Sequence, residues 1–199
     1  MHSGNDTTIN TSNINHMKYY VLLAAGMLTT SLVFSQKKYF TKNGHIAFIA
    51  GTLVEDVDGA NSATTSVFDA ATGQIEFAVL VKGFEFKRAL MQEHFNENYM
   101  ESDKYPKAIF SGKITNIDKV NFSKDGVYPV TVKGTLDMHG VKKAIETAGT
   151  MKVSGETVAS DAAFTVLLSD YNIDIPSLVK DKISKTANIK VNCNYTVLK

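Results

Sequence analysis

The sequence predicts an all-β protein: an antiparallel β-barrel of eight strands, with one main helix at about 87–100 and a short second helix at about 177–183. Three observations carry this. After residue 36 apolar residues alternate with polar ones, so each segment has one dry face and one wet face. Gly-containing dipeptides suited to tight hairpins fall between these segments. Only one long stretch carries a helical apolar stripe.

Taken in order, residues 1–16 are rich in Asn, Thr and Ser without apolar periodicity, which predicts a disordered upstream extension. Residues 17–35 read MKYYVLLAAGMLTTSLVFS. Lys18 is a basic start, an apolar run follows, and Ser35 offers a small side chain at a cleavage position, the pattern of a secretory signal peptide. Thr29, Thr30 and Ser31 interrupt the run, which falls short of the ~20 apolar residues of a spanning helix. The expectation is a signal peptide starting at Met17 with cleavage near Ser35, a periplasmic or secreted protein with no transmembrane segment once processed, and one domain over 36–199.

Strand-like runs are expected at 37–42, 45–54, 62–69, 74–83, 107–118, 128–139, 142–154 and 159–169, with a last one at 186–198. Asn43-Gly44, Asp58-Gly59, Thr72-Gly73, Asp125-Gly126 and His139-Gly140 are the candidate turns. Pro106, Pro129 and Pro176 lie at the edges of runs, where no ladder donor is needed. Closing so many strands into a barrel removes exposed edges. Within KRALMQEHFNENYM, Met91, Phe95 and Tyr99 recur at i, i+4 and i+8 with Leu90 beside them, while Glu93, Glu97 and Glu101 line another face. On a barrel this size the helices serve as lids or plugs.

Charge is balanced, with 21 basic and 20 acidic residues, which removes the electrostatic case for nucleic acid. The single cysteine, Cys193, excludes an intramolecular disulfide and any Cys-based zinc site, and its strand setting predicts burial. His94-x-x-Glu97 shares a helix face, but a metal site needs three or four convergent ligands. His139, beside Gly140, reads as a turn residue. Ser111 lacks a nucleophile-elbow context, Ser154 precedes Gly155 at a turn, and Asp170, Asp174 and Asp181 are not spaced as a calcium loop. No catalytic residue, metal or cofactor is expected, and the chain does not read as an enzyme.

Three segments carry a family resemblance: GQIEFAVLVKGFEF (73–86), HFNENYMESDKYPKAIFSG (94–112) and VTVKGTLDMHGVKKAIE (130–146). In this order they resemble the YceI-like family of exported lipocalin-like barrels. The acidic, Asn-rich stretch at 94–103 and the VFSQ processing site resemble versions from Bacteroidetes. The resemblance implies a barrel enclosing an elongated apolar ligand, such as a polyisoprenoid, quinone-like chain or other lipid, and a periplasmic or secreted location. It implies no established catalytic residues.

From the alternation, the dry face facing the interior contains Phe77, Val79, Val81, Phe110, Ile114, Val132, Leu136, Met138, Phe164, Val166, Leu168 and Val191. Phe84, ahead of the helix, and Phe95, on its stripe, complete the expected ligand-binding set. Gly112 and Gly134 share that face and should leave room, and Lys143 near a turn is the one charge expected inward. A filled core would show the same alternation, since barrels of this strand number are either filled or hollow. The leading expectation is therefore a lipid-binding barrel. The alternatives are a stress-response or structural module with a filled core, acting through the acidic helix surface, and a metal- or haem-assisted redox protein using His94, Glu97 and His139. A homodimer is left open.

Overall fold

The computed structural model describes residues 37–198. The expected extension and signal peptide lie outside the described residues. Eight antiparallel strands run β1 (Lys38–Gly51), β2 (Asp58–Asp69), β3 (Gln74–Leu80), β4 (Lys107–Ile114), β5 (Gly126–Met138), β6 (Val141–Ser154), β7 (Thr157–Leu167) and β8 (Ile183–Val197). Each pairs with its sequence neighbour, and β8 pairs with β1 to close the barrel. Between β3 and β4 lies the helix α1 (Ala89–His94), continued by a π turn over Phe95–Tyr99.

The nine expected runs become eight strands because the first two fuse into β1. Asn43-Gly44 is not a hairpin turn but an irregularity inside that strand, with register shifts on either side of Gly44. A Cβ at Gly44 would lie 2.8 Å from Cys193 Sγ and 3.1 Å from Thr64 O, so glycine serves close packing there. Asp58-Gly59 and Asp125-Gly126 likewise open strands or precede them rather than making hairpin turns. The two other dipeptides are turns. Gly73 joins β2 to β3 at φ +76°, and His139-Gly140, both at positive φ, form the two-residue hairpin loop between β5 and β6.

Pro129 sits inside β5 without loss of a ladder bond. The N–H of Thr131, two residues on, points to the β4 side, where it donates to Asn116 Oδ1 at 2.8 Å. β4 pairing begins only at Val132, so the position of the missing Pro129 donor faces no strand. The expected second helix is a single 3-10 turn at Ser177–Val179, since only six residues separate Pro176 from the start of β8. The main helix begins at Ala89, later than expected.

Two apolar clusters fill the two ends of the barrel. At one end Tyr39 stacks on Phe68 at 4.8 Å, Phe122 packs on both, and Tyr195 meets Phe68 edge-on at 5.0 Å. The Tyr195 hydroxyl is satisfied by Ser66 Oγ at 2.9 Å, and Ser66 donates to Glu76 O. At the other end Phe48, Val81, Met100, Val166, Leu168 and Tyr171 form the second cluster. The β6–β7 ladder stops short of this end. It runs from Ser154↔Thr157 to Gly149↔Ala162, and Thr147 Oγ1 then donates to Ala163 O at 2.9 Å. The 3-10 turn Leu168–Tyr171 packs against the strands beside the gap, held by His139 Nδ1 to Tyr171 O at 2.8 Å.

Candidate functional site

Between the two clusters the interior is hollow. The cavity measures about 490 Å³ and its wall is overwhelmingly apolar. That size falls within the ~300–1,000 Å³ of small-molecule pockets. All fourteen residues singled out from the sequence lie on its wall. They come from β3, β4, β5, β7 and β8, from the turns that follow β3 and β7, and from the helical segment, because the inward-facing rows of a closed barrel converge on its axis.

The roof is aromatic. Phe95 stacks on Phe48 at 5.5 Å, and Phe84 and Phe86 pack against both. Phe95 reaches this position through the π turn, in which Met100 N–H bonds Phe95 O at 2.8 Å. The extra residue in that turn rotates the helix end, so Met100, outside the expected stripe, becomes its one buried side chain. Glu93 and Glu97 are exposed, as the stripe implies.

Gly112 and Gly134 do face inward, paired across β4 and β5, but they do not leave open space. A Cβ on either would meet the Phe110 ring at 2.5 Å. The glycines form a seat that lets the Phe110 ring lie flat on the wall instead of projecting into the cavity. Lys143 is also different from expectation: its side chain is half-exposed and its ammonium lies 3.9 Å from Asp170.

Charge is confined largely to the mouth. Glu55, from the β1–β2 loop, pairs with Arg88 just before α1 and with Lys182, 3.5 Å away, just before β8. The Arg88 hydrogen bond, aided by the positive charge of Lys182, holds the Glu55 carboxyl below the usual carboxylate range. These three residues line the opening and stitch three segments together.

Sequence reasoning missed Phe48 and Phe86. Phe48 alternates with Ile46 and Ala50 in β1, a signal that was readable; Phe86 follows Phe84 at i+2 about Glu85, which bridges to Ala60 outside the main strands, a pattern too short to stand out. Among the described residues no three His, Cys, Asp or Glu side chains gather to hold a metal. His94 is exposed at the cavity rim. His139 is buried in its turn, 3.3 Å from Glu101 and packed edge-on against Tyr105. Cys193 is buried among apolar side chains at the closed end.

The sequence matches the YceI-like domain over residues 28–195. Comparison with curated proteins returns no match. Among solved structures, the fold is similar to a polyisoprenoid binding domain from Saccharophagus degradans implicated in plant cell wall breakdown, with a TM-score of 0.71 and 14% identity over 82% of this chain and 99% of that one. It is also similar to Burkholderia cenocepacia BcnA, at TM-score 0.64 and 16% identity over 76% and 95%. A Campylobacter jejuni YceI protein superimposes at TM-score 0.52 and 17% identity over 72% and 87%. At these identities the structural likeness concerns the fold, and the match over most of the sequence settles the family. The chain belongs to the YceI-like family.

Proposed function

We propose that this protein is a non-catalytic carrier that encloses an elongated apolar ligand, a polyisoprenoid, quinone-like molecule or other lipid, in its barrel. The observation that carries this reading is the apolar cavity held open between a packed floor and an aromatic roof. A prenyl chain burying about 300 Å² of apolar surface gains about 7 kcal/mol at ~25 cal/mol per Å². Ordering the chain and losing its free motion brings the net to about micromolar affinity. The wall needs no charge to hold such a ligand, and apart from Asp161 on β7 its acidic and basic residues keep to the mouth. The Saccharophagus domain described as polyisoprenoid-binding has the same fold and supports the same ligand class. The fourteen interior residues are the proposed contacts.

Export belongs to the same reading. It rests on the basic start, apolar run and Ser35 of residues 17–35, and places the carrier in the periplasm or outside the cell. The acidic, Asn-rich stretch at 94–103 supports a Bacteroidetes-like version of the family. A filled-core module acting through its surface has no comparable support, because the interior holds unfilled volume.

Native mass spectrometry of protein recovered from its own compartment tests the proposal. A co-purifying lipid, or a one-to-one complex after addition of a prenyl quinone, is the expected result. Protein that emerges empty and takes up neither prenyl quinones nor fatty acyl chains refutes it.

A further inference from the structure

Four of the five most exposed large apolar side chains among the described residues lie on segments that frame the cavity mouth: Leu53, Leu178, Val54 and Leu90. Leu53 is fully exposed and Leu178 is 88% exposed. The fifth, Val127, opens β5, away from the mouth.

The placement is built by local structure. A tight turn, closed by Thr52 N–H to Glu55 O at 3.0 Å and Val54 N–H to Thr52 Oγ1 at 3.1 Å, puts Leu53 and Val54 at its tip. The 3-10 turn Ser177–Val179 turns Leu178 outward, while its neighbour Val179 lines the cavity. The first turn of α1 presents Leu90 at the edge and Met91 to the interior. These segments are tied together by Thr52 Oγ1 to Asp181 O at 2.7 Å and by the Arg88–Glu55–Lys182 bridge. The points therefore form a fixed rim, and the apolar surface runs from it inward through Val57, Leu90 and Val179.

From this geometry we infer that the rim is a docking surface for a zwitterionic phospholipid bilayer, which it meets with the cavity mouth facing the membrane. The inference rests on the lipid-carrier reading and names where the ligand is exchanged. The rim charges favour this occupant. Lys87 pairs with Asp58, Arg88 and Lys182 share Glu55, and Lys180 is adjacent to Asp181 in sequence, so both signs are interspersed as they are in zwitterionic headgroups. Separate leucines can enter between headgroups while lysine stems lie along the interface. A second copy of the chain would need about 800 Å² of self-complementary surface per partner. The rim instead offers isolated points around an opening.

Flotation with phosphatidylcholine vesicles tests this, using the chain as recovered from cells so that wild type and variants share one N-terminus. The wild type floats with the vesicles, with little dependence on salt. Leu53→Ser and Leu178→Ser each lower partitioning about tenfold, by analogy with the burial of one leucine side chain, while Val127→Ser does not. Both rim variants keep the wild-type melting temperature, since the replaced side chains touch solvent. They also slow uptake of a prenyl quinone from the vesicles without changing the final occupancy. Equal flotation of wild type and rim variants, or no flotation at all, overturns the inference. So does a wild-type dimer that the variants convert to monomer, which would assign the rim to a second copy. Vesicle binding by a protein that never takes up a lipid would sink the carrier reading alone and leave the docking surface standing.

Discussion

Ala162 offers a direct test of whether the barrel is hollow in solution. It sits on β7 with its methyl on the cavity wall, paired with Gly149 on one side and Val191 on the other. Leucine at this position adds three carbons that would point into the 490 Å³ space. At about 0.8 kcal/mol per buried carbon the gross gain is about 2.4 kcal/mol. The lost rotamer freedom of leucine removes about 0.5–1 kcal/mol. A net gain of about 1.5 kcal/mol raises the melting temperature of a domain this size by about 3–6 °C. In a filled core the same substitution would cost about 1–3 kcal/mol through overpacking. The sign of the change therefore decides. Ala162→Leu should melt higher than wild type in ligand-free protein by differential scanning calorimetry, and it should bind prenyl quinone more weakly because the leucine occupies the ligand's space. A lower melting temperature with intact quinone binding would refute the reasoning.

Three further outcomes follow from the geometry. Gly134→Ala forces a Cβ to 2.5 Å from both the Phe110 ring and Ser111 O; it should destabilise the barrel by about 1–3 kcal/mol or more in urea denaturation and displace the Phe110 ring toward the cavity. The Asp69 carboxylate is partly desolvated, but hydrogen bonds from the Thr72 and Ala71 backbone outweigh this and hold it below its ordinary 3.8. A carboxyl lowered on folding contributes stability above its unfolded value and loses it as pH falls through the folded value; Asp69→Asn should therefore reduce stability at pH 7, and the difference should shrink progressively as the pH is lowered below the ordinary 3.8. Burial pushes the Cys193 thiol above its ordinary range, so a disulfide reagent at pH 8 should label it only on unfolding, and rapid labelling of native protein would contradict its placement at the closed end.

Much of the fold was legible because each strand keeps one dry face. Where that face is polar, legibility failed. The buried row of β2 is Gly59, Asn61, Thr64, Ser66 and Phe68, and its first two members are a glycine and an amide, so residues 58–61 gave no apolar alternation. Asn61 is satisfied locally by the Ala63 N–H at 2.8 Å, and its amide donates to Leu80 O on β3 at 3.0 Å, a contact made only once β2 and β3 pair. Asn43-Gly44 carried the chemistry of a turn, yet the long-range demand of Cys193 and Thr64 for a residue without Cβ explains the glycine. The fourteen interior residues were readable from pattern, whereas the hollow was not. Whether inward side chains meet in the middle depends on where Phe110 lies and how the π turn sets Phe95, and no local pattern encodes either. The mouth residues Glu55, Arg88 and Lys182 come from three irregular segments and became a group only in three dimensions.

The short β6–β7 ladder bears on self-association. Residues 141–148 of β6 pair with β5 only and residues 163–167 of β7 with β8 only, which leaves two facing strand edges without partners in the ladder inside a nominally closed barrel. A bare edge of this length is a template on which another copy can add a strand, the first step of aggregation. Lys142, Lys143 and Glu146 place charge along the β6 edge, and the Leu168–Tyr171 turn packs beside its mouth end. On the β6 side of this loosely joined wall, three charged side chains with no part in forming the core thus oppose strand addition.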